Sequence, residues 1–255
     1  PGSPPVSSSF ALAAGGAIKN VLYAGGFAYV AGSLYTDSEP PFVASSNIWK
    51  IDLTDLSASV ASFTPAGLVD LDDIVWDGSN IWSTGSIAGV LRQHNSDLTV
   101  AATYTVGAGA SGVRYSAGSF YIAAGDVIEY IPGTGEIWRT AAGTTKVFLS
   151  GSYLYIGNIS GAKVLDKATG AVVATYSDGQ PLSIGNGHPL FAEFGGNVIY
   201  RPFIAESSLG PFVLLDAATG LFVGNLYLGG ATIVLGTINS NLFGIGSPTD
   251  NFNFY

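Results

Sequence analysis

This sequence predicts an all-β repeat fold, and three observations carry that reading. An apolar run, a tight turn and a second apolar run recur six times. The copies begin at Val21 (VLYAGGFAYVAGS), Ile74 (IVWDGSNIWSTG), Val113 (VRYSAGSFYIAAG), Val147 (VFLSGSYLYIGN), Ser183 (SIGNGHPLFAEFG) and Val234 (VLGTINSNLFGIG). They lie roughly 40 residues apart, the period of a β-propeller blade. The 35 Gly and 12 Pro are spread so evenly that no long stretch keeps helical periodicity. Together these features predict a six-bladed β-propeller with four antiparallel strands, a to d, in each blade.

The six phrases supply strands a and b. A second pair, c and d, follows in five copies: Asn47–Phe63, Gly89–Val106, Asp126–Ala141, Ala162–Ser177 and Pro211–Leu228. Gly133-Thr134-Gly135, Thr169-Gly170 and Thr219-Gly220 place Gly where a tight turn needs positive φ. Apolar residues alternate with small or polar ones, as in half-buried antiparallel strands. The blades are read as residues 20–65, 66–107, 108–143, 144–180 and 181–230, with 231–255 beginning the sixth. That last blade is short: Asn251–Tyr255 serves as strand c and nothing remains for strand d. Ser7–Ala14 (SSSFALAA) has no partner of its own. Residues 1–19 are therefore expected to complete the last blade, which closes the ring and removes an edge. Residues 1–255 become one domain, long enough to bury a core without disulfides, which zero Cys rules out.

Two blades carry extra length between strands b and c, at Tyr35–Ser46 and Arg201–Gly210. On a repeat scaffold such loops are where a binding surface departs from the plain repeat. Neutral length variation is the alternative.

The segment Tyr29–Ser59, a hairpin, a small-residue loop and a strand with Asp and turn, resembles a repeat of bacterial surface proteins. Val164–Gly179 (VLDKATGAVVATYSDG) is similar to the c–d hairpins of quinoprotein-like and surface-layer propellers. The resemblance implies the propeller fold. It carries no quinone site, Trp-Asp signature or full kelch pattern, although Gly25-Gly26 is kelch-like.

Charged residues make up 11% of the chain, against roughly 25% in an ordinary domain. The net charge is −9. Such a surface repels phosphate backbones and anionic lipid, so neither nucleic acid nor a membrane surface is an expected partner. Mean hydropathy is +0.39. Yet the longest uncharged stretch, Ala217–Thr249, is broken throughout by Gly, Asn, Thr and Ser and does not read as a membrane-spanning helix.

Aligning the a strands on Tyr23, Trp76, Tyr115 and Leu149 puts Asn20, Asp73, Gly112 and Lys146 at one level, with Arg114 two positions beyond Gly112. Asp70 and Asp72 precede Asp73. The candidate ligand-binding residues at a channel mouth are therefore Asn20, Asp73, Arg114 and Lys146. A divalent cation would need oxygen ligands from several blades. Here two cations oppose one acidic cluster, so an ion pair from Asp73 to Lys146 or Arg114 is favoured over a metal, and no cofactor is expected. Arg92, Arg114, Arg139 and Arg201 are scattered, which disfavours a sialidase-type arginine cluster. His94 and His188 fall in different turns and are read as solvated. Trp49, Trp76, Trp82 and Trp138 occupy strands c, a, b and d, so they do not form a repeated sugar pocket and are read mostly as interblade core.

The leading expectation is a non-enzymatic structural or receptor-facing component of an extracellular assembly, in the form of a virion surface or tail protein. Its partners would be other protein chains, with a cell-surface glycan as a further candidate. The alternatives are a carbohydrate- or small-ligand-binding surface propeller and a channel-metal hydrolase or lactonase.

Overall fold

The computed structural model describes residues 16–35, 44–52, 60–63, 71–144, 146–158, 161–176, 190–201, 212–226, 232–238, 241–246 and 253–254. Its strands form six sheets. The first orders β1 (Gly16–Ala24), β2 (Phe27–Tyr35), β3 (Ala44–Asp52) and β4 (Val60–Phe63). The second orders β5 (Asp73–Trp76), β6 (Ile81–Gly85), β7 (Val90–His94) and β8 (Val100–Thr105). The third comprises β9 (Gly112–Ser116), β10 (Ser119–Ile131) and β11 (Gly135–Thr144), in the order β11-β10-β9. The fourth orders β12 (Val147–Ser150), β13 (Tyr153–Asn158), β14 (Gly161–Asp166) and β15 (Val172–Tyr176). The fifth orders β16 (Leu190–Phe194), β17 (Asn197–Arg201), β18 (Phe212–Asp216) and β19 (Phe222–Leu226). The sixth orders β20 (Thr232–Ile238), β21 (Asn241–Gly246) and β22 (Asn253–Phe254). The chain divides into two compact units, Pro1–Ser119 and Phe120–Tyr255.

Within each unit, successive sheets bury one another's faces. In the first, Ala31 and Ile48 of the first sheet share a core with Leu71, Ile74 and Ile81. In the second, β13 shows how the strand period serves this arrangement. Leu154 and Ile156 join Tyr121 and Val127 of the third sheet, whereas Tyr155 between them joins Val198 and Leu215 of the fifth. Successive side chains leave a strand on opposite faces. A sheet covered on both faces therefore needs apolar residues at consecutive positions, which is why the inner runs of this sequence are so hydrophobic.

Three expectations change. The third sheet has three strands: β10 runs on for 13 residues where the reading drew strands b and c. No loop residues separate these segments; Gly125 (φ 75°) and a register shift at Gly125/Asp126 mark the change. The inner hairpin of the fifth sheet is Leu190–Phe194 with Asn197–Arg201, displaced from the expected start at Ser183. Gly195 and Gly196 (φ 56° and 76°) supply the two consecutive positive-φ residues of its turn, and they match Gly25 and Gly26 (φ 57° and 86°) in the first sheet. The double glycine is thus shared by two blades. His94, read as solvated, is buried in the second sheet, for reasons given below. Ser7–Ala14, His188, Asp70 and most of the two inserted loops lie outside the described residues.

The turns joining β14 to β15 and β18 to β19 are built alike. Asp166 Oδ1 accepts the amides of Ala168 and Thr169 and the Thr169 hydroxyl, and Asp216 does the same with Ala218 and Thr219. Gly170 and Gly220, both at φ 69°, return their amides to the Asp carbonyl. Each glycine carbonyl is then taken by a hydroxyl of the preceding sheet: Thr140 at 2.6 Å for Gly170, and Tyr176 at 2.7 Å for Gly220. These turns lock neighbouring sheets together as well as reversing the chain.

Candidate functional site

Asn20, Asp73 and Arg114 lie on β1, β5 and β9, the first-numbered strands of three successive sheets, and the first unit brings them together. Asp73 is 1% exposed. Its Oδ1 accepts Asn20 Nδ2 and, at 3.0 Å, the Ile74 amide. Its Oδ2 accepts the Val113 amide at 3.1 Å and Arg114 Nη1 at 3.0 Å. Asn20 Nδ2 also donates to the Ile74 carbonyl at 3.1 Å, and Arg114 Nη1 to the Val113 carbonyl at 2.5 Å. A carboxylate has about four lone-pair positions, and these four donors match them. Asp73 pairs with Arg114, the ion pair favoured over a metal ligand, and joins the inner strands of three sheets. A buried charge is tolerated where it is paired and fully hydrogen-bonded.

A metal ligand or general base needs an uncommitted lone pair, and Arg114 sets a positive charge where a cation would sit. Among the described residues no group of three or more His, Cys, Asp or Glu is placed to hold a metal ion. Asp72 turns the other way: its Oδ2 accepts the Ser86 amide at 3.0 Å. Lys146 belongs to the second unit, just before β12, where its amide donates to Thr144 Oγ1 and its carbonyl accepts from the same hydroxyl. Trp49 and Trp82 are buried; Trp82 stacks on Tyr104 and donates Nε1–H to Asp77 at 2.6 Å.

Sequence reasoning missed His94. It is 1% exposed at the end of β7. Nδ1 lies 2.9 Å from the Leu98 carbonyl and Nε2 lies 2.8 Å from Ser83 Oγ. A carbonyl only accepts, so Nδ1 carries the proton and Nε2 accepts from the serine hydroxyl. Burial pushes the imidazole below its usual range; the Leu98 hydrogen bond opposes this and the Arg92 charge adds to it. Register was the signal. His94 stands opposite Val100 at a bulge, as buried Leu165 stands opposite Val172 and Leu215 opposite Phe222. The polar letters around His94 concealed that equivalence.

Against known proteins, the chain matches no protein-family model and no curated protein sequence. Solved structures do match. BamB from Moraxella catarrhalis superposes with a TM-score of 0.59 at 14% identity, over 89% of this chain and 66% of that one. Dihydro-heme d1 dehydrogenase NirN gives 0.61 at 16%, over 93% and 54%. Virginiamycin B lyase from Staphylococcus aureus gives 0.66 at 8%, over 93% and 83%. This chain is a β-propeller. It spans about two-thirds of the BamB chain and about half of the NirN chain. At such identities the shared property is the fold, which serves a dehydrogenase and a lyase among these neighbours.

Proposed function

We propose that this propeller is a non-catalytic interaction module of a protein assembly outside the cytoplasm. The observation that carries this reading is the state of its edge strands. β4, β8, β15 and β19 end their sheets and carry no charged residue, whereas β11, which ends the third sheet, carries Glu136 and Arg139. Val100, Val172, Val173, Phe222 and Val223 on these strands are 37% to 58% exposed. Free-standing proteins guard such edges with charge, proline or a covering element. Unguarded apolar edges fit strands that a partner chain covers, by packing or strand addition. The committed state of Asp73 supports the non-catalytic half of the reading.

We further read residues 1–255 as a single six-bladed domain closed by residues 1–19. The virion surface or tail form is the finer version of this reading, drawn from the low charge, zero Cys, a closed chain and the missing catalytic constellation. A ligand at Asn20, Asp73 and Arg114 is the second reading, favoured by the Arg114 guanidinium, whose side chain is 33% exposed.

Light scattering on native, untagged material tests the main proposal. Wild type is expected in a particle much larger than the 26.1 kDa chain. Val173→Lys with Val223→Lys is expected to release it as a monomer with an unchanged melting temperature. A wild-type chain that is monomeric at all concentrations, including in material from its source, overturns the reading.

A further inference from the structure

We propose that His94 makes the second sheet acid-sensitive: the neutral imidazole pins the turn at residues 95–98 onto the core of the first sheet, and protonation puts a charge in that buried place and turns Nε2 from an acceptor of the Ser83 hydroxyl into a donor, which destabilises the sheet. Four structural facts lead there. First, the position is one of core packing, since the corresponding residues of the fourth and fifth sheets are Leu165 and Leu215, both fully buried. Second, the imidazole grips the turn itself. Leu98, at φ 70°, is the positive-φ residue that corresponds to Gly170 and Gly220. Their carbonyls are held by hydroxyls of the preceding sheet, whereas the Leu98 carbonyl is held by His94 from its own sheet. Third, Leu98 is 1% exposed and joins the core containing Ala31, Ile48 and Ile74. The turn is thus a plug that His94 keeps in a backbone conformation leucine disfavours.

Fourth, the surroundings penalise a positive imidazole. Arg92, 3% exposed, lies on the same strand. From the first sheet, Lys50 Nζ reaches into the turn and donates to the Ser96 carbonyl at 3.1 Å. The turn's own carboxylate, Asp97, is engaged by the Thr99 amide and hydroxyl. On β5, Asp73 is committed to Asn20, Val113 and Arg114. Strands β6 and β8 contribute no charge. A protonated His94 would therefore be a second buried cation beside Arg92, while among the described residues the carboxylates of Asp97 and Asp73 are engaged by other donors.

The direction follows from linkage. The folded-state value lies below the ordinary 6.5, so on acidification the unfolded chain takes up the proton first. His94's contribution is complete above about pH 6.5 and is lost as the pH falls towards the folded-state value. In that window the folding equilibrium drops by up to about tenfold per pH unit on account of this one group.

The test is thermal and chemical unfolding of the full chain from pH 8 to pH 5, in wild type, His94→Gln and His94→Leu. Wild type should lose stability below about pH 6.5 more steeply than either variant. Hydrogen exchange, corrected for intrinsic pH dependence, should show the loss at residues 91–105 and spare residues 161–176, where Leu165 holds the equivalent place. Should neither variant fold, NMR titration of the wild-type imidazole decides the matter, with His188 identified by a His188→Gln variant. Parallel pH curves for wild type and variants overturn the proposal, as does an imidazole midpoint at or above 6.5.

Discussion

After β14 the positive-φ turn residue is Gly170, and a Cβ placed there would stand 2.5 Å from Trp138 Cε3. After β18 it is Gly220, where the same atom would meet Val164 Cγ1 at 2.7 Å. After β7 it is Leu98, whose side chain is buried in a core that also contains Ala24 and Ala31. The φ of this residue is closely alike in the three, between 69° and 70°, although the turn after β7 is one residue shorter than the other two. What differs is which side of the junction supplies the volume. Where the preceding sheet brings a tryptophan or valine to the turn, the turn residue gives up its side chain. Where the turn residue itself joins the core, its side chain fills the space and the backbone accepts an unfavourable φ. Interiors conserve volume more strictly than they conserve residue type.

The sharpest way to break this comparison is to exchange the solutions. Gly170→Leu combines a steric conflict with Trp138 and a leucine at positive φ. It should cost about 4 kcal/mol in chemical denaturation. A near-neutral result would mean that Trp138 can move aside, and the volume argument would fail. Asp73→Asn sets an amide against the Val113 and Arg114 donors in a buried place, and about 3 kcal/mol is expected. Arg114→Ala should cost less, because its side chain is partly exposed. The reverse order would make the guanidinium, rather than the carboxylate, the centre of that cluster. Leu98→Gly removes a buried side chain but relieves the backbone. A net loss of about 2 kcal/mol is expected from the difference, and any gain in stability would show that strain outweighs packing there. The smallest effect belongs to Asp166→Ala. The Thr169 hydroxyl and amide hold the Asp166 carboxyl below its usual range, and Asp216 is held the same way by Thr219. Their contribution is therefore present above the ordinary carboxylate range and is lost as pH falls through the lowered values. Both sites are exposed, so Asp166→Ala should lower the melting temperature slightly and flatten the acid limb below pH 4.

Much of this was legible in the linear sequence. The paired runs and the glycines at Gly133, Gly170 and Gly220 announce hairpins, because only a few residue types accept positive φ at a tight turn. Alignment of the a strands also placed Asn20 and Asp73 at one level and pointed to an ion pair for Asp73. Other features were hidden. The repeat reading starts the fifth inner hairpin at Ser183, outside the described residues, whereas the described hairpin forms around Gly195-Gly196, where two consecutive positive-φ residues fit the twist of the flanking strands. His94 looks solvated among Gln93, Asn95 and Ser96. A one-residue bulge turns it inward, and no local pattern records which face a bulged strand presents.

By itself the sequence determined the strand repeat, the glycine turns at Gly133, Gly170 and Gly220 and the low overall charge. These depend on period and composition, and neighbouring residues along the chain encode both. Only the tertiary structure decided that Asp73 is saturated by donors from three sheets, that His94 takes a leucine's place, and that Leu98 rather than glycine completes its turn. Each of those outcomes depends on what the adjacent sheet brings to the same point. The residues that settle it lie tens of positions away in the chain.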